Sequence, residues 1–417
     1  MEHPVIKRPQ PHRGRILAAV LVTALVVGAI CFTLGQQIAS YRQVIQGDRV
    51  VISKEDFQTL QSYQRLTQIH QSILKNYLGD VSDEALLDGA AKGMTAALDD
   101  PYAYYYTADE YKKLQEVSSG NYDGVGLLIQ QSAEGYATVV QVYEGSPAEQ
   151  AGMQPGDQIL AVDGEPLTLD EPIENISAKV KGPKNTQVAM TLLRGEEQVE
   201  VTLERKEITI DYAHFEVLDG GIGYVRITEF YGNAVTEFEK ALKQFDKQGV
   251  KGFIVDLRDN PGGYLDDAVA IADLLLPEGD IVYTEDKNGN REYEKSDAAC
   301  TDLPFAVLVN GMSASASEVL AGAIQDYGAA PLIGEKTYGK GIVQNIYPFN
   351  DGAALKYTIA KYYSPSGRCI HGTGLEPDIA LSLPEELTDG TEDYSRQRDT
   401  QLQQAIEVIN SGWQKPS

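Results

Sequence analysis

Cysteine is scarce in this chain: only Cys31, Cys300 and Cys369 occur among 417 residues, and none falls in a Cys-x-x-Cys spacing. That excludes a thiolate zinc site and a disulfide-stapled scaffold. Cys300 and Cys369 either pair outside the cell or stand as two free thiols. Positive charge is also short, with 35 Lys and Arg against 61 Asp and Glu and a formal net charge of −26. Because phosphate recognition needs clustered Lys and Arg, a nucleic-acid partner is excluded. Internal repeats and low-complexity linkers are missing, and no cofactor and no metal is expected. What the chain does have is 42% apolar residues over a length that suits two or three domains with real cores.

The acidity is uneven. Residues 1–15 carry Lys7, Arg8, Arg13 and Arg15 against Glu2 alone, and an uncharged apolar run follows from Ile16 to Gly35. As a helix that run would span about 30 Å, the hydrocarbon thickness of a bilayer. The pattern predicts a cytoplasmic basic tail (1–15), a single transmembrane signal-anchor (16–35) and an extracytoplasmic remainder at a bacterial cell membrane. A cleavable signal peptide competes with this reading, but no Ala-x-Ala site follows. Ile30 before Cys31 argues against lipidation.

Residues 36–116 read as a helical N-terminal region. Leu60, Tyr63, Leu66, Ile69, Ile73 and Tyr77 recur every three or four residues, giving one apolar face to a helix from about Lys54 to Tyr77. That face serves either a homodimer arm or packing on its own domain. A second helix is expected over Asp83 to Leu98. It stops at Asp99-Asp100-Pro101, and the tyrosine-rich PYAYYYTADEY reads as an aromatic packing patch.

From Gly120 the pattern changes to short strands between Gly and Pro turns. The run GSPAEQAGMQPGDQILAVDG, from Gly145 to Gly164, resembles a PDZ domain, and the resemblance covers residues 117–205. It implies that Gly124, Val125, Gly126 and Leu127 form a loop whose backbone N–H groups cradle a peptide's terminal carboxylate. Glycines suit such a loop because they let backbone donors approach an anion. The strand after Leu127 would then pair with an extended peptide, and a helix near Ile173 to Val180 would close the groove.

Residues 206–385 alternate strands and helices, which predicts an α/β core. The strand Phe305 to Val309 runs into NGMSASASEVLAG (Asn310–Gly322), and a helix follows to Tyr327. A serine cluster between strand and helix is a place for a nucleophile, since the helix N-terminus offers unpaired N–H groups to an oxyanion. The turn Arg258-Asp259-Asn260-Pro261-Gly262-Gly263 is either the second half of an oxyanion hole or ordinary turn chemistry. The GxSxG elbow is missing because Gly311-Met312-Ser313 continues to Ala314-Ser315, with serine where the second glycine would be, and Ser72-Ile73-Leu74-Lys75 matches S-x-x-K in spacing only. Five histidines occur in the chain, and His371 is the only serious base among them. Lys340, between Gly339 and Gly341, competes with it. An unperturbed lysine has a pKa of about 10.4, so the site would have to desolvate Lys340, with close glycine packing excluding water and Gln344 holding the amine. An ordinary turn lysine stays open on these residues alone, as does the choice among Ser313, Ser315 and Ser317.

NPGGYLDDAV, VLVNGMSASASEVLAGAIQDYG, GEKTYGKGIVQ and YYSPSGRCIHGTGLEPDI together resemble, in order, the carboxy-terminal processing, or tail-specific, serine proteases over about residues 60–385. The resemblance implies a crotonase/ClpP-like α/β core with an inserted PDZ domain and a C-terminal helical tail (386–417). It places the nucleophile on Ser315, the general base on Lys340 and the orienting glutamine on Gln344. Oxyanion donors would be the backbone N–H of Ala316 and of Gly262 or Gly263. It further implies a serine endopeptidase acting on proteins with exposed C-termini under PDZ control. A membrane-tethered PDZ adaptor without catalysis is the alternative.

Overall fold

The hydrophobic runs of the α/β region form a six-stranded sheet because they are apolar on both faces. In the computed structural model, which describes residues 52–384 and 398–413, the strand order is Ala213–Leu218, Ile222–Ile227, Phe253–Asp256, Phe305–Val309, Leu332–Gly334 and Ile379–Ala380. The first pair is antiparallel and the other pairings are parallel. Val225, Ile227, Phe253, Val255, Val307 and Val309 bury one face under the helices Ala234–Gln248, Leu265–Asp273 and Ala316–Tyr327. Ile222, Ile254, Ala306, Leu308 and Ile333 bury the other.

That second face is covered by a helix, Thr400–Ser411, inside the stretch expected to be a tail. It is not an appendage: Leu402, Ala405, Val408 and Ile409 complete the core. Just before it, Asp399 pairs with Arg258 at 2.9 Å, and Gln401 Oε1 accepts from the same guanidinium at 3.0 Å. Arg258 also grips Asp256 at 2.6 Å. Burial pushes the Asp256 carboxyl up, but Arg258 outweighs it and holds the group below the usual carboxylate range. This buried cluster fixes the chain where the Phe253–Asp256 strand gives way to the Asn260-Pro261-Gly262-Gly263 turn. Residues 386–397 and 414–417 lie outside the described residues.

A second sheet pairs Tyr104–Tyr106, Ala354–Tyr363, Gly279–Asp286 and Arg291–Ser296, with Ile342–Pro348 also on Ala354–Tyr363. The tyrosine patch is therefore a strand, in register as Tyr104 to Lys356 and Tyr106 to Ala354. The inserted domain is an antiparallel sheet of Leu127–Gln131, Ala137–Val142, Gln158–Val162, Gln187–Arg194 and Glu197–Glu204 around its own core, which includes Val139, Ile159, Ile176, Met190 and Leu192. The chain enters it along Asn121–Gly124 and leaves along Lys206–Thr209, two strands paired to each other.

The chain divides into two compact units, Met1–Gly89 and Ala90–Ser417. In the first, the expected helix is two helices, Lys54–Ser62 and Gln64–Asn76, broken at Tyr63, and neither has a buried residue. Leu60, Tyr63, Leu66, Ile69 and Tyr77 are exposed. The third helix, Asp83–Ala96, ends close to its expected stop. Among the described residues no helix is long and apolar enough to cross a membrane. The apolar run 16–35 and Cys31 lie outside them.

Candidate active site

Asn310–Ala314 leaves the Phe305–Val309 strand and turns directly into the helix Ala316–Tyr327, with Ser315 at the helix N-cap. Ser315 has φ +56°, a region that a non-glycine residue occupies only when its surroundings hold it there, at about 1–3 kcal/mol. The three serines of the cluster separate by what their hydroxyls do. Ser313 is buried, donates to Leu257 O at 2.7 Å and accepts from Asn310 N at 2.9 Å. Ser317 is buried and donates to Asn260 O at 3.0 Å. Ser315 is partly exposed, and its hydroxyl donates to nothing among the described residues.

What holds Ser315 is Glu318, one turn into the helix and 1% exposed. Its Oε2 accepts from Ser315 N at 3.0 Å and from Lys340 N at 2.8 Å. Its Oε1 accepts from Thr337 Oγ1 at 2.6 Å and Gly339 N at 2.8 Å. One oxygen thus binds the backbones of the expected nucleophile and the expected base, residues 25 apart in sequence. From the other side, the buried Tyr362 hydroxyl lies against the carbonyls of Ser315 (3.0 Å) and Lys340. Glu318 is not among the site residues expected from the sequence. The Ser-x-x-Glu spacing from Ser315 is a capping-box signature that could have shown that it reaches back to the Ser315 N–H.

The glycines flanking Lys340 have a visible cause. A Cβ on Gly339, at φ +92°, would lie 2.8 Å from Gly374 N, and one on Gly341 would lie 2.6 Å from His371 N. Backbone of the 371–374 loop therefore packs directly on both glycines and shields the lysine. The same packing leaves the His371 side chain exposed. Burial depresses the Lys340 ammonium below its ordinary value, Lys356 adds repulsion, and Glu318 and Asp100 oppose the shift. Lys340 Nζ lies 4.9 Å from the centroid of the Tyr102 ring and has no hydrogen bond to Ser315 among the described residues.

Gln344 departs from expectation. Its Nε2 is 3.5 Å from Ile342 O and from Thr358 Oγ1, and it does not bond Lys340. The ladder to Ala354–Tyr363 shifts register between Val343 and Gln344, and the side chain turns toward Thr358 on the neighbouring strand.

Of the donors expected for an oxyanion, Gly262 N is engaged by Asn260 Oδ1 at 2.9 Å, because the buried Asn260 side chain closes its own turn. The N–H groups of Gly263 and Ala316 carry no hydrogen bond among the described residues. The turn presses against the serine: a Cβ on Gly262 (φ +110°) would sit 2.8 Å from Ser315 Cβ and 3.0 Å from Ala316 N. Asn260 stitches the two halves together, since its carbonyl also accepts from Ala314 N at 3.0 Å. The arrangement offers a hydroxyl on a strained backbone, a desolvated lysine whose backbone N–H is anchored to the carboxylate that also binds Ser315 N, and two unspent backbone donors, which is equipment for acyl transfer.

In the inserted domain, Gly126 has φ +84° and a Cβ there would meet Ser146 Cβ at 2.1 Å, so only glycine fits. Leu127 opens the edge strand Leu127–Gln131, which among the described residues pairs with no strand but Ala137–Val142, beside the helix Ile173–Val180, and the backbone of Gly126 and Leu127 hydrogen-bonds Tyr122. Val125 is buried in the domain core. Cys300 and Cys369 are unpaired. Among the described residues no cluster of His, Cys, Asp or Glu could hold a metal ion.

Residues 221–381 match peptidase family S41, residues 138–194 match a PDZ domain, and residues 25–110 match the N-terminal domain of the activating protease CtpB. A carboxyl-terminal-processing protease of Synechocystis is 40% identical over 334 residues, covering 78% of this chain and 77% of that one. The carboxy-terminal processing protease CtpA of Bacillus subtilis is 33% identical over 375 residues, covering 89% and 78%. A solved putative S41 protease from Bacteroides fragilis shares the fold with a TM-score of 0.50 at 17% identity, over 81% of this chain and 92% of that one.

Proposed function

The chain belongs to the carboxyl-terminal-processing serine proteases of peptidase family S41, and on that premise we propose that Ser315 is its nucleophile and Lys340 its general base. The adaptor alternative gives way to this enzyme. The observation that carries the assignment is the single Glu318 oxygen bonded to the backbone N–H of both residues. Ser315 Oγ attacks the scissile carbonyl carbon as its proton passes to Lys340 Nζ. The N–H groups of Ala316 and Gly263 take the oxyanion, the C–N bond breaks, and Lys340 returns the proton to the leaving amine. Water then attacks the acyl-enzyme, giving its proton to Lys340, and the new carboxylate leaves as Ser315 regains its hydrogen. Lys340 Nζ must close on Ser315 Oγ for the first step while keeping the Tyr102 ring at its side, a tightening that unliganded sites often undergo. Gln344 takes part only by a rotation off Thr358.

The test is incubation of a soluble fragment from residue 40 with an unstructured protein, with products mapped by mass spectrometry. Progressive loss of material from the C-terminal end is expected; cleavage that ignores the C-terminus would sink the reading.

Three further proposals follow from the remaining regions. The loop Gly124 to Leu127 binds a substrate's terminal carboxylate, supported by Gly126 and the open edge strand, and deleting residues 117–205 should change substrate choice. The run 16–35 anchors the protein in the cell membrane with the catalytic part outside, supported by the basic tail preceding it; recovery of the full chain in the soluble fraction would refute this. The exposed apolar residues of Lys54–Ser62 and Gln64–Asn76 mediate a homodimer, which analytical ultracentrifugation with and without those helices decides.

A further inference from the structure

The tyrosine run after Asp100 has no place in the mechanism above, yet it reaches the base. Tyr102 stands 238 positions before Lys340 in the chain, and its ring faces the Lys340 ammonium at 4.9 Å from the centroid. Three things hold it there. Asp100 Oδ1 accepts from Tyr102 N at 2.9 Å and closes the Asp100-Pro101-Tyr102 turn. The same carboxylate is hydrogen-bonded by Thr358. The following strand, Tyr104–Tyr106, is locked in register on Ala354–Lys356. The run serves a second lysine as well, since Lys356 Nζ lies 5.5 Å from the centroid of the Tyr106 ring. Two mutually repelling ammonium groups therefore each sit against a tyrosine of one short segment.

We propose that Tyr102 is a positioning residue for Lys340, whose ring face stabilises the ammonium that forms when Ser315 gives up its proton. The attraction between a ring quadrupole and a cation acts on the charged form only. A carboxylate in that place would do the same with a full charge, but it would also keep the lysine protonated before the reaction and so remove the base. A neutral ring is a weaker counterpart: it leaves the resting amine available and still favours the charge that develops. The other titratable groups facing Lys340 are Lys356 from Ala354–Tyr363, Glu318 from its helix, and Asp100 from the turn. Tyr338 hydrogen-bonds the Tyr102 hydroxyl, and Tyr362 lies at the Lys340 carbonyl.

This rests on the assignment of Lys340 as base, so Lys340→Ala is measured in parallel. The experiment compares Tyr102→Leu and Tyr102→Phe with the parent in peptide cleavage across pH. Loss of the ring in Tyr102→Leu should lower kcat roughly tenfold, the scale of a partly desolvated cation–π contact, with KM little changed. Its acid limb in kcat/KM should move to lower pH, because the ammonium has lost a stabilising partner. Tyr102→Phe keeps the ring and loses only the hydroxyl, and should recover most of the lost rate. Equal losses in both variants, or an acid limb that moves upward or stays put in Tyr102→Leu, would overturn the role of Tyr102. A Lys340→Ala variant that still cleaves at the parent rate would instead overturn the base assignment.

Discussion

Replacing Ser315 by alanine is expected to lower peptide cleavage on the order of a millionfold, the scale seen when a serine nucleophile is removed and only binding and oxyanion contacts remain. The effect should fall on kcat, because the side chain lost contributes to bond making and not to holding the substrate. Alanine also relieves nothing in the backbone: the strain at φ +56° belongs to the turn, and Glu318 still binds the residue's N–H. The variant should therefore fold as the parent does and still bind substrate. Ser313→Ala gives the contrast. It removes a hydroxyl that serves Leu257 O and Asn310 N in a buried place, and should cost about 1–3 kcal/mol of stability while leaving the nucleophile in position. Cleavage assays and thermal melts of the two variants decide the matter. A folded Ser313→Ala protein that is inert, beside an active Ser315→Ala, would move the nucleophile.

That choice shows where sequence was legible and where it was not. The strand Phe305–Val309 and the helix after it could be read directly, because a strand buried on both faces is a continuous apolar run and the helix start is marked by small polar residues. The inserted domain was equally readable, its glycine turns being demanded by backbone angles such as φ +84° at Gly126. The three serines could not be separated by spacing, since what separates them is contact with Leu257 and Asn260, more than fifty residues away. The glycines around Lys340 pointed to close packing, but not to the 371–374 loop as the partner. Tyr102 was read as a packing patch because nothing local distinguishes a tyrosine over a lysine from one over a leucine. The packing of the helix Thr400–Ser411, inside the expected helical tail, could not be read because its partner face, Ile254, Ala306 and Leu308, is supplied by strands that already look complete.

Glu318→Gln should be the most damaging change at a residue that touches no substrate. All four groups on the carboxylate are donors: three are backbone N–H, and the fourth, the Thr337 hydroxyl, donates because the carboxylate has no hydrogen to give, while its own oxygen accepts from Leu375 N at 2.7 Å. Only a carboxylate accepts on every side. A glutamine fits best with its nitrogen toward Thr337, whose hydroxyl can turn to accept; Gly339 N is then left against an NH2 group. Ser315 N and Lys340 N keep an oxygen, but a neutral one. One lost bond to a charged acceptor and two weakened ones amount to about 3–4 kcal/mol, with hydrogen bonds to charged groups worth roughly 1.5–3 kcal/mol each. Because those bonds set the strained turn at Ser315 and the Lys340 loop against each other, much of that sum should appear as misplacement of the reacting groups. A loss of about a hundredfold to a thousandfold in kcat is expected, with KM nearly constant. Labelling of Ser315 by a fluorophosphonate should slow in parallel, since the reagent needs the same nucleophile but no peptide groove. A Glu318→Gln enzyme within threefold of the parent would show that Tyr362 and the glycine packing suffice to hold the two loops together.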